Sequence, residues 1–438
     1  MTLHDVPSLQ NALLEQVDCS ISGGAVNQLP APSGRRRVIS RGRGSRIWDV
    51  DGREYVDYVL GSGPLILGHA HPAVVKAVQD QAARGSTFYA LTQPTIRLAE
   101  RIIERVPCAE LVQFCNSGAE ATLYAMRLAR AYTGRPKILK FEGGFHGASD
   151  YALMSLFPVG APRYPRPEAS SGGIPPSVQE EVLVAPFNDV ATTLKIAEEH
   201  ADKIAAIIVE PVQRVIEPSP GFLPALRQAA DRHGIILIFD EIVTGFRLAP
   251  GGAQEYYDVT PDIAALGKIL GGGYPLAAVA GREEIMRLAD HRRRGCDDYA
   301  YVSGTLNGNP VAAAAGLATL DVLDGPGAYD HLHRMGDRLR SGLRDVFRLA
   351  GVPAQVLGIG PLFQVFITDS PIVDHRGMRR ADVATIDSIS TFVFDRGHFL
   401  SREKGYLSLA HTEKDVDELV ASFSAALTSI GVRLTHGG

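Results

Sequence analysis

The chain has 438 residues, of which 45% are hydrophobic and 21% charged, and its net charge is −5. This length allows two or three domains with a large buried core. The mildly acidic balance gives no reason to expect nucleic acid or an acidic membrane as a partner, and no apolar run approaches the roughly 20 residues that a membrane-spanning helix needs.

The first stretch, residues 1–60, is predicted to contain a β-hairpin. It includes the segment SRIWDVDGREYVDYV, in which apolar and polar residues alternate around Asp51-Gly52. An Asp-Gly pair between two alternating runs is typical of a two-residue hairpin turn. We assign these residues to an N-terminal segment.

Residues 61–322 are predicted to form a large α/β domain. Five short apolar runs look like strands buried on both faces, at 137–141, 181–186, 204–211, 235–241 and 263–268. Helical stretches separate several of them, at 119–133, 189–200 and 223–233. This alternation predicts a mainly parallel sheet flanked by helices.

Two further features complete the organisation of the chain. Residues 159–177 are rich in Pro, Gly and Ser and are predicted to be a long surface loop, of the kind that often serves as a lid. Residues 323–438 are assigned to a C-terminal small domain. This domain should end in a helix that begins at a capping box formed by Thr412 and Asp415 and stops at Gly431.

The four cysteines show neither metal-binding nor redox spacing. They are Cys19, Cys108, Cys115 and Cys296. We interpret them as reduced thiols, which predicts a cytoplasmic protein. The first residues, MTLHDVPSLQ, lack the basic region and apolar core of a secretory signal.

The first chemical signal is a capping box in the segment NSGAEA, formed by Ser117 and Glu120. A helix should begin there, and the small residues before it would let a ligand approach the backbone closely. Free N–H groups and the positive end of the helix dipole suit a phosphate. A well-capped helix without any ligand is the more common explanation of this pattern alone.

The second signal is a strongly apolar strand that runs directly into Asp240 and Glu241. The carboxyl ends of strands form the edge of an α/β sheet at which ligands bind. A carboxylate there could hold a protonated ring nitrogen through a charge-assisted hydrogen bond. Metal binding and a strand-end cap remain open as alternatives.

The third signal is Lys268, which ends an apolar run and precedes three glycines. Its apolar neighbours predict that it is buried, and burial disfavours the ammonium form of the nucleophilic amine. No strand–GxGxxG–helix pattern surrounds these glycines, and Ile269 stands where a P-loop needs Ser or Thr. Neither a Rossmann site nor a P-loop therefore fits.

Together these signals match the needs of one cofactor. The capped helix would anchor a phosphate, the pair Phe145-His146 would stack on a ring, Asp240 would hold a pyridinium nitrogen, and Lys268 would supply a Schiff-base amine. A metal-dependent enzyme using His69, His71 and His146 is a weaker alternative, because these histidines lack helix-spaced partner ligands.

The chain resembles the class III (fold type I) aminotransferases, which depend on pyridoxal-5'-phosphate (PLP), and most closely their glutamate-1-semialdehyde aminomutase branch. The resemblance lies between residues 48 and 419, in the segments WDVDGREYVDYV, GPLILGHAHP, NSGAEA, GFHG, VEPV, LIFDEIVTGFR, PDIAALGKILGGGYP, SGTLNGNP and LSLAHTEKDVDEL. It implies a large domain with a mainly parallel sheet and a smaller α+β domain built from the C-terminal and N-terminal segments.

The resemblance also implies roles for the matching residues. Lys268 forms the Schiff base and moves a proton between the substrate carbon and the cofactor, and Asp240 pairs with the pyridinium nitrogen. Phe145 and Ile242 cover the two ring faces, with His146 beneath Asp240. The remaining cofactor contacts are expected from Ser117, Gly118, Ala119, Glu210 and Gln213.

Thr305 should reach the phosphate of the neighbouring subunit, which implies a homodimer with a shared active site. Asn309 and Pro310 should begin the helix after it, as N-cap and first helical residue.

Several positions depart from the aminomutase pattern. Ala119 stands where those enzymes usually have Thr, and Gln213 matches the ornithine-type aminotransferases in its predicted contact with the phenol oxygen. Gln28 lies about where an aminomutase arginine would bind the substrate carboxylate, and Ser62 replaces an active-site Trp. Glu403 does match an aminomutase position near the entrance. The candidate substrate contacts are Gln28, Ser62, Tyr89, Arg402 and Glu403.

On this basis we predict an aminotransferase that moves an amino group from an amine donor to an aldehyde or ketone by a ping-pong mechanism, with pyridoxamine phosphate between the half-reactions. The alternative is an aminomutase, in which the amino group returns to a neighbouring carbon of the same molecule. A catalytically silent PLP-fold binding subunit ranks lower, because Lys268 and Asp240 are both present.

Overall fold

The structure is a computed structural model that describes residues 8–26 and 35–430. The chain divides into two compact units. The large unit consists of Pro72–Asp330 and Ile372–Arg379, and the small unit of Met1–His71, His331–Pro371 and Arg380–Gly438. The predicted boundaries stood at residues 60 and 322, and the return of Ile372–Arg379 to the large unit has no counterpart in the sequence analysis.

The described residues form strands and helices in the following order. The strands are β1 Ile39–Arg43, β2 Arg46–Asp49, β3 Glu54–Asp57, β4 Leu111–Cys115, β5 Lys137–Phe141, β6 Val182–Ala185, β7 Ile204–Val209, β8 Ile236–Glu241, β9 Ile263–Leu266, β10 Ala277–Gly281, β11 Ala354–Leu357, β12 Leu362–Ile367, β13 His398–Phe399 and β14 Gly405–Tyr406. The helices are α1 Leu9–Ser20, α2 Pro72–Ala82, α3 Gln93–Arg105, α4 Gly118–Thr133, α5 Pro176–Glu180, α6 Val190–Glu199, α7 Phe222–His233, α8 Gly252–Tyr256, α9 Glu283–Met286, α10 Pro310–Leu323, α11 Ala328–Leu349, α12 His375–Met378, α13 Val383–Asp395 and α14 Glu413–Ile430.

The large unit contains a seven-stranded sheet in the order β4-β10-β9-β8-β7-β5-β6. Strands β9, β8, β7, β5 and β6 are parallel, whereas β10 is antiparallel to both of its neighbours. The five predicted strands and the mainly parallel sheet are confirmed. Strands β4 and β10 were not predicted. In β10 the residues are mostly alanine and glycine, which are depleted in strands and give no β signal.

The three predicted helices of this unit are α4, α6 and α7, and local caps explain their bounds. Ser117 caps α4 by accepting a hydrogen bond from the backbone N–H of Glu120, and Asp189 caps α6 in the same way. Helices α4 and α7 each end at a glycine in the left-handed conformation, Gly134 and Gly234. The inner face of α4 packs on the sheet in a fully buried cluster of small and branched residues.

The small unit contains the predicted hairpin. Strands β2 and β3 pair antiparallel, and Gly52 has a φ of +85° in the turn between them. They belong to a four-stranded sheet in the order β1-β2-β3-β13, and a three-stranded sheet has the order β11-β12-β14. Helices α11, α13 and α14 contribute to the core of this unit, with Leu339, Val393 and Leu419 fully buried.

Helix α14 begins at the predicted capping box. Asp415 N–H donates to Thr412 Oγ1 at 3.2 Å, and Thr412 N–H donates to the Asp415 carboxylate at 2.9 Å. The predicted stop at Gly431 lies outside the described residues.

A cluster of buried polar side chains lies in the core of the small unit. His398 Nε2 is 2.8 Å from Ser422 Oγ, and His411 Nδ1 accepts a hydrogen bond from the backbone N–H of Ser408 at 3.1 Å. Burial lowers the pKa of His398 and of His411 to about 4, because a charged imidazole is poorly solvated there.

Residues 159–175 contain neither helix nor strand, as the loop prediction required, and α5 occupies the end of the predicted segment. Their function as a lid stays a prediction. In the described part of the chain, every helix is too short or too polar to cross a bilayer.

Candidate functional site

The five strands that precede the predicted cofactor residues end at one edge of the large sheet. Strands β5, β7, β8 and β9 are parallel, and β4 runs with them because β10 is antiparallel to both β4 and β9. The residues that follow these strands therefore gather at the edge where α/β proteins bind ligands. The predicted site residues at this edge are Ser117, Gly118, Ala119, Phe145, His146, Glu210, Gln213, Asp240, Ile242 and Lys268.

Asp240 is buried at the end of β8. One carboxylate oxygen accepts the backbone N–H of Ile242 at 3.1 Å, and the other lies 2.7 Å from His146 Nδ1. Because an ionised carboxylate only accepts, Nδ1 must carry the hydrogen in this contact. Thr122 in helix α4 holds His146 in turn, by donating to its carbonyl oxygen at 2.6 Å. Asp240 is thus fixed as an acceptor that could bind a protonated ring nitrogen.

Glu241, the second acid of the strand, serves a different purpose. Its carboxylate accepts hydrogen bonds from the Ala253 N–H at 2.6 Å and from the Thr244 hydroxyl at 2.9 Å. Burial raises its pKa, since the charged form loses solvation. Glu241 therefore caps neighbouring backbone groups, and Asp240 alone of the two faces His146.

Lys268 lies just beyond β9, whose Ala265 pairs with Asp240 across the sheet. The prediction that Lys268 is buried was wrong: Ile269 and Leu270 are buried, but Lys268 itself is partly exposed. The chain leaves the sheet after Leu266 and turns sharply, with a φ of +49° at Lys268. This turn moves the lysine out of the core to the edge of the sheet.

The backbone at the start of helix α4, residues 117–119, is closely packed, and we call it the cradle. A Cβ atom at Gly118 would lie 3.1 Å from the Ile242 side chain, and one at Gly267 would lie 3.0 Å from it. Ile242 therefore sits between the helix start and the residue before Lys268. The predicted capping box is present, since the Ser117 N–H donates to Glu120 at 2.9 Å. First-turn N–H groups have no partner within a helix, which suits a phosphate.

Phe145 presents an exposed ring at this edge, with 46% of its surface accessible. Its backbone N–H donates to the Glu210 carboxylate at 2.6 Å, which fixes the ring's position. Gln213 is buried, and its amide nitrogen donates to the carbonyl oxygen of Glu142 at 2.7 Å. The amide nitrogen carries a second hydrogen, which could donate to a phenol oxygen.

Thr305 is exposed in the turn before α10, which Asn309 and Pro310 begin as predicted. The turn is attached to its own subunit near the cradle, because Asn116 donates to the Asn307 side chain at 2.9 Å. The reach of Thr305 into a neighbouring subunit stays a prediction.

Of the candidate substrate residues, Tyr89 belongs to the large unit, and Ser62, Arg402 and Glu403 belong to the small unit. Gln28 lies outside the described residues, Tyr89 is 86% exposed, and Ser62 adopts a φ of +69° in the small unit. Arg402 is already paired with Asp387 at 2.8 Å, and its side chain lies 3.7 Å from the Glu403 carboxylate. No group of residues that could hold a metal ion occurs within the described ranges.

Lys140 was missed by sequence reasoning, although it is the lysine that the large unit buries. Its ammonium donates to the carbonyl oxygens of Gly144, Ala152 and Met154, at 3.2, 2.9 and 2.5 Å. Burial lowers its pKa to about 7, while the three carbonyls favour its charged form. The amine thus fastens the loop that carries Phe145. In the sequence, the only sign of this contact is a lysine within a predicted strand.

A second missed contact involves the segment Ile372–Arg379. Arg376 forms a two-pronged ion pair with the buried Glu142, at 2.7 and 3.0 Å, and Tyr164 donates to the same carboxylate at 2.9 Å. The partners are more than 200 residues apart in the chain, so local patterns could not reveal the pair. The contact holds the residue just after β5 in place.

The sheet, the lysine after β9, the acid at the end of β8 and the capped helix define a fold type I, PLP-dependent transferase. The chain belongs to the class III aminotransferase family, because the family model for aminotransferase class-III matches residues 30–385.

Named relatives agree with this assignment. The chain is 40% identical to glutamate-1-semialdehyde 2,1-aminomutase 2 of Brevibacillus brevis, over 92% of this chain and 95% of the relative. It is 44% identical to the aminomutase of Methanothermobacter thermautotrophicus, over 89% and 91%. An ω-transaminase structure from Sphaerobacter thermophilus superimposes with a TM-score of 0.91 and 37% identity, over 97% of this chain and 98% of that one.

Proposed function

We propose that the protein is an aminomutase of the glutamate-1-semialdehyde 2,1 type, which moves an amino group to a neighbouring carbon of the same substrate. The sequence analysis ranked transfer between two molecules first. The names of relatives at 40% and 44% identity, over about nine-tenths of both chains, favour the intramolecular alternative.

The arrangement at the sheet edge supports the amino-group chemistry of this proposal. When bound, PLP acts as an electron sink that stabilises negative charge on the substrate carbon. Asp240, held by His146, would keep the ring nitrogen protonated through a charge-assisted hydrogen bond. The amine of Lys268 would bind the cofactor's aldehyde carbon and, once displaced by the substrate amine, would carry a proton between the substrate carbon and the cofactor.

The remaining residues would orient the cofactor. The N–H groups of Gly118 and Ala119, together with the Ser117 hydroxyl, would hold its phosphate at the helix start. Phe145 would cover one ring face and Ile242 the other, which excludes water from both. The amide of Gln213 would donate to the phenol oxygen, and Glu210 would keep Phe145 in place.

We also propose that the chain acts as a cytoplasmic homodimer, with Thr305 reaching the phosphate held by the neighbouring subunit. Large apolar side chains are exposed close to this turn, including Leu306 and Tyr301. Such exposure is common at interfaces between subunits. All four cysteines are free and two of them, Cys19 and Cys296, are exposed, which favours a reducing compartment.

A second candidate is transfer between two molecules. It is supported by the ω-transaminase structure and by Ser62, which stands where aminomutases have Trp. Incubation of PLP-loaded protein with glutamate-1-semialdehyde alone separates the two. An aminomutase converts it, without any co-substrate, into the isomer that carries the amine on the terminal carbon. Turnover that appears only when a separate amine donor and carbonyl acceptor are supplied contradicts the aminomutase and supports the transaminase.

A further inference from the structure

Beside the exposed Phe145 ring lies an arginine that has no acidic partner among the described residues. The guanidinium carbon of Arg214 is 5.8 Å from the centre of that ring. Its guanidinium forms no ion pair or hydrogen bond with any residue that the structure describes. Because arginine is always charged and presents five donors, an unpaired, partly buried guanidinium is suited to receive an anion.

The backbone holds Arg214 in an unusual conformation. Gln213 and Ile216 exchange two backbone hydrogen bonds, of 3.0 and 2.9 Å, so Arg214 and Val215 form a two-residue turn. Arg214 is the first of the two and has a φ of +62°. A positive φ at this turn position normally selects glycine. An arginine held there is strained, and strain of this kind gathers at functional sites.

One carboxylate fixes Arg214 relative to Phe145. Glu210 accepts the backbone N–H of Phe145 through one oxygen at 2.6 Å and that of Arg214 through the other at 3.0 Å. The ring and the arginine turn are therefore positioned together. A substrate that reaches the cofactor over Phe145 would pass within range of the guanidinium.

The acids nearest to Arg214 are already engaged. Glu210 uses both oxygens on backbone N–H groups, and Glu142 is paired with Arg376. The neighbouring His375 has a lowered pKa, mainly through burial, with Arg214 contributing. With these acids engaged elsewhere, the Arg214 guanidinium beside Phe145 is suited to bind an anion from outside the protein.

We propose that Arg214 binds a carboxylate group of the amino substrate. The inference rests on the proposed function, because it assumes that the reacting carbon lies over the ring that Phe145 covers. It assigns the carboxylate anchor that Gln28 and Arg402 do not provide: Gln28 lacks a positive charge, and Arg402 is paired with Asp387. A two-pronged contact of guanidinium and carboxylate would also set the substrate's orientation.

Binding of glutarate to the PLP-loaded protein tests this site without any turnover, since glutarate has neither amine nor aldehyde. Calorimetry should show that Arg214→Gln weakens glutarate binding by about 10- to 100-fold, as expected for hydrogen bonds to a charged group. Arg214→Lys keeps the charge but not the two-pronged geometry. Its affinity for glutarate should therefore lie between those of the parent protein and Arg214→Gln. The matched control is Arg232→Gln, an exposed arginine of α7 at the opposite end of β8, which should leave binding unchanged.

A second readout separates anchoring from support of the ring. The PLP affinity and unfolding midpoint of Arg214→Gln should match those of the parent protein. Reduced PLP affinity with unchanged glutarate binding would overturn the proposal, because Arg214 would then only brace Phe145. Equal glutarate binding by all variants would also overturn it. If the parent protein moves no amino group but binds glutarate through Arg214, the proposed function fails and the anion site stands.

Discussion

The sheet edge of the large unit keeps two of its charged side chains partly exposed. The polar cluster of the small unit, by contrast, is buried. At the edge, Lys268 and Arg214 adopt positive φ angles and remain partly exposed. In the small unit, His398 and His411 are buried and bind their own neighbours, Ser422 and Ser408.

The side chains at the edge are positioned to bind a ligand, whereas the buried histidines of the small unit stabilise the fold. A strained, accessible side chain contributes little to stability, whereas a buried polar group that loses its partner costs about 1–3 kcal/mol. Changes of Lys268 or Arg214 should therefore reduce activity and leave stability intact. Changes in the small unit should do the reverse.

The largest effect is expected from Lys268→Ala. Amino transfer should fall by about 10⁴-fold or more, because the nucleophile and the proton carrier are lost together. The free energy of unfolding should change by less than about 1 kcal/mol, since the side chain is partly exposed. Activity assays and urea unfolding measure the two quantities. The exposed Lys203→Ala is the control, and normal turnover by Lys268→Ala would refute the assignment.

Asp240→Asn should have the next largest effect. A neutral amide cannot stabilise a protonated ring nitrogen, so kcat/KM should fall by about 10²- to 10³-fold with little change of volume. The adjacent Glu241→Gln is a matched control, because it removes a buried charge that faces away from His146. It should lower stability more than activity. Equal losses of kcat/KM in both variants would contradict the assignment of the ring-nitrogen contact to Asp240 rather than Glu241.

Acid should weaken the small unit through its histidines. Their pKa of about 4 lies below the usual 6.5, so the unfolded chain binds more protons between these values. The free energy of unfolding should therefore fall as pH drops from 6.5 to 4, by on the order of 3 kcal/mol per histidine. His411→Gln should remove its share of this slope in denaturant titrations at several pH values. An unchanged slope would mean that His411 is not the group being protonated.

The smallest effect is expected from the removal of two helix caps in the large unit. Ser117→Ala and Asp189→Ala each remove a helix cap and should each cost about 1 kcal/mol of stability. Only Ser117→Ala should also weaken PLP binding, because α4 alone begins at the proposed phosphate site. Fluorescence titration with PLP measures this, and equal affinities in the two variants would argue against the cradle.

Local patterns in the sequence were sufficient for much of the fold. Strands β5 to β9 are mainly apolar runs, and the caps at Ser117, Asn309 and Thr412 involve residues three positions apart. Both signals act within a few residues, so tertiary structure did not alter them. Strand β10 lacked such a signal because its alanines suit helices as readily as strands.

The site was harder to predict because its geometry depends on distant contacts. The apolar neighbours of Lys268 indicated burial, yet a turn after Leu266 brings the lysine outward. Arg214 became a candidate only once Glu210 was seen to join it to Phe145, which lies 69 positions earlier in the chain. The sequence shows only an arginine soon after the end of a strand. The geometry of the turn is what indicates a role for it.

The excursion of Ile372–Arg379 has a consequence for dissecting the protein. The chain passes between its units four times, so neither unit is a continuous stretch of sequence. A polypeptide ended at Asp330 would retain the whole seven-stranded sheet yet lack Arg376, leaving Glu142 as a buried charge without its counterion. Excising the large unit as a single fragment should therefore fail. A working version would need the short C-terminal peptide returned, either in trans or through a redesigned connection.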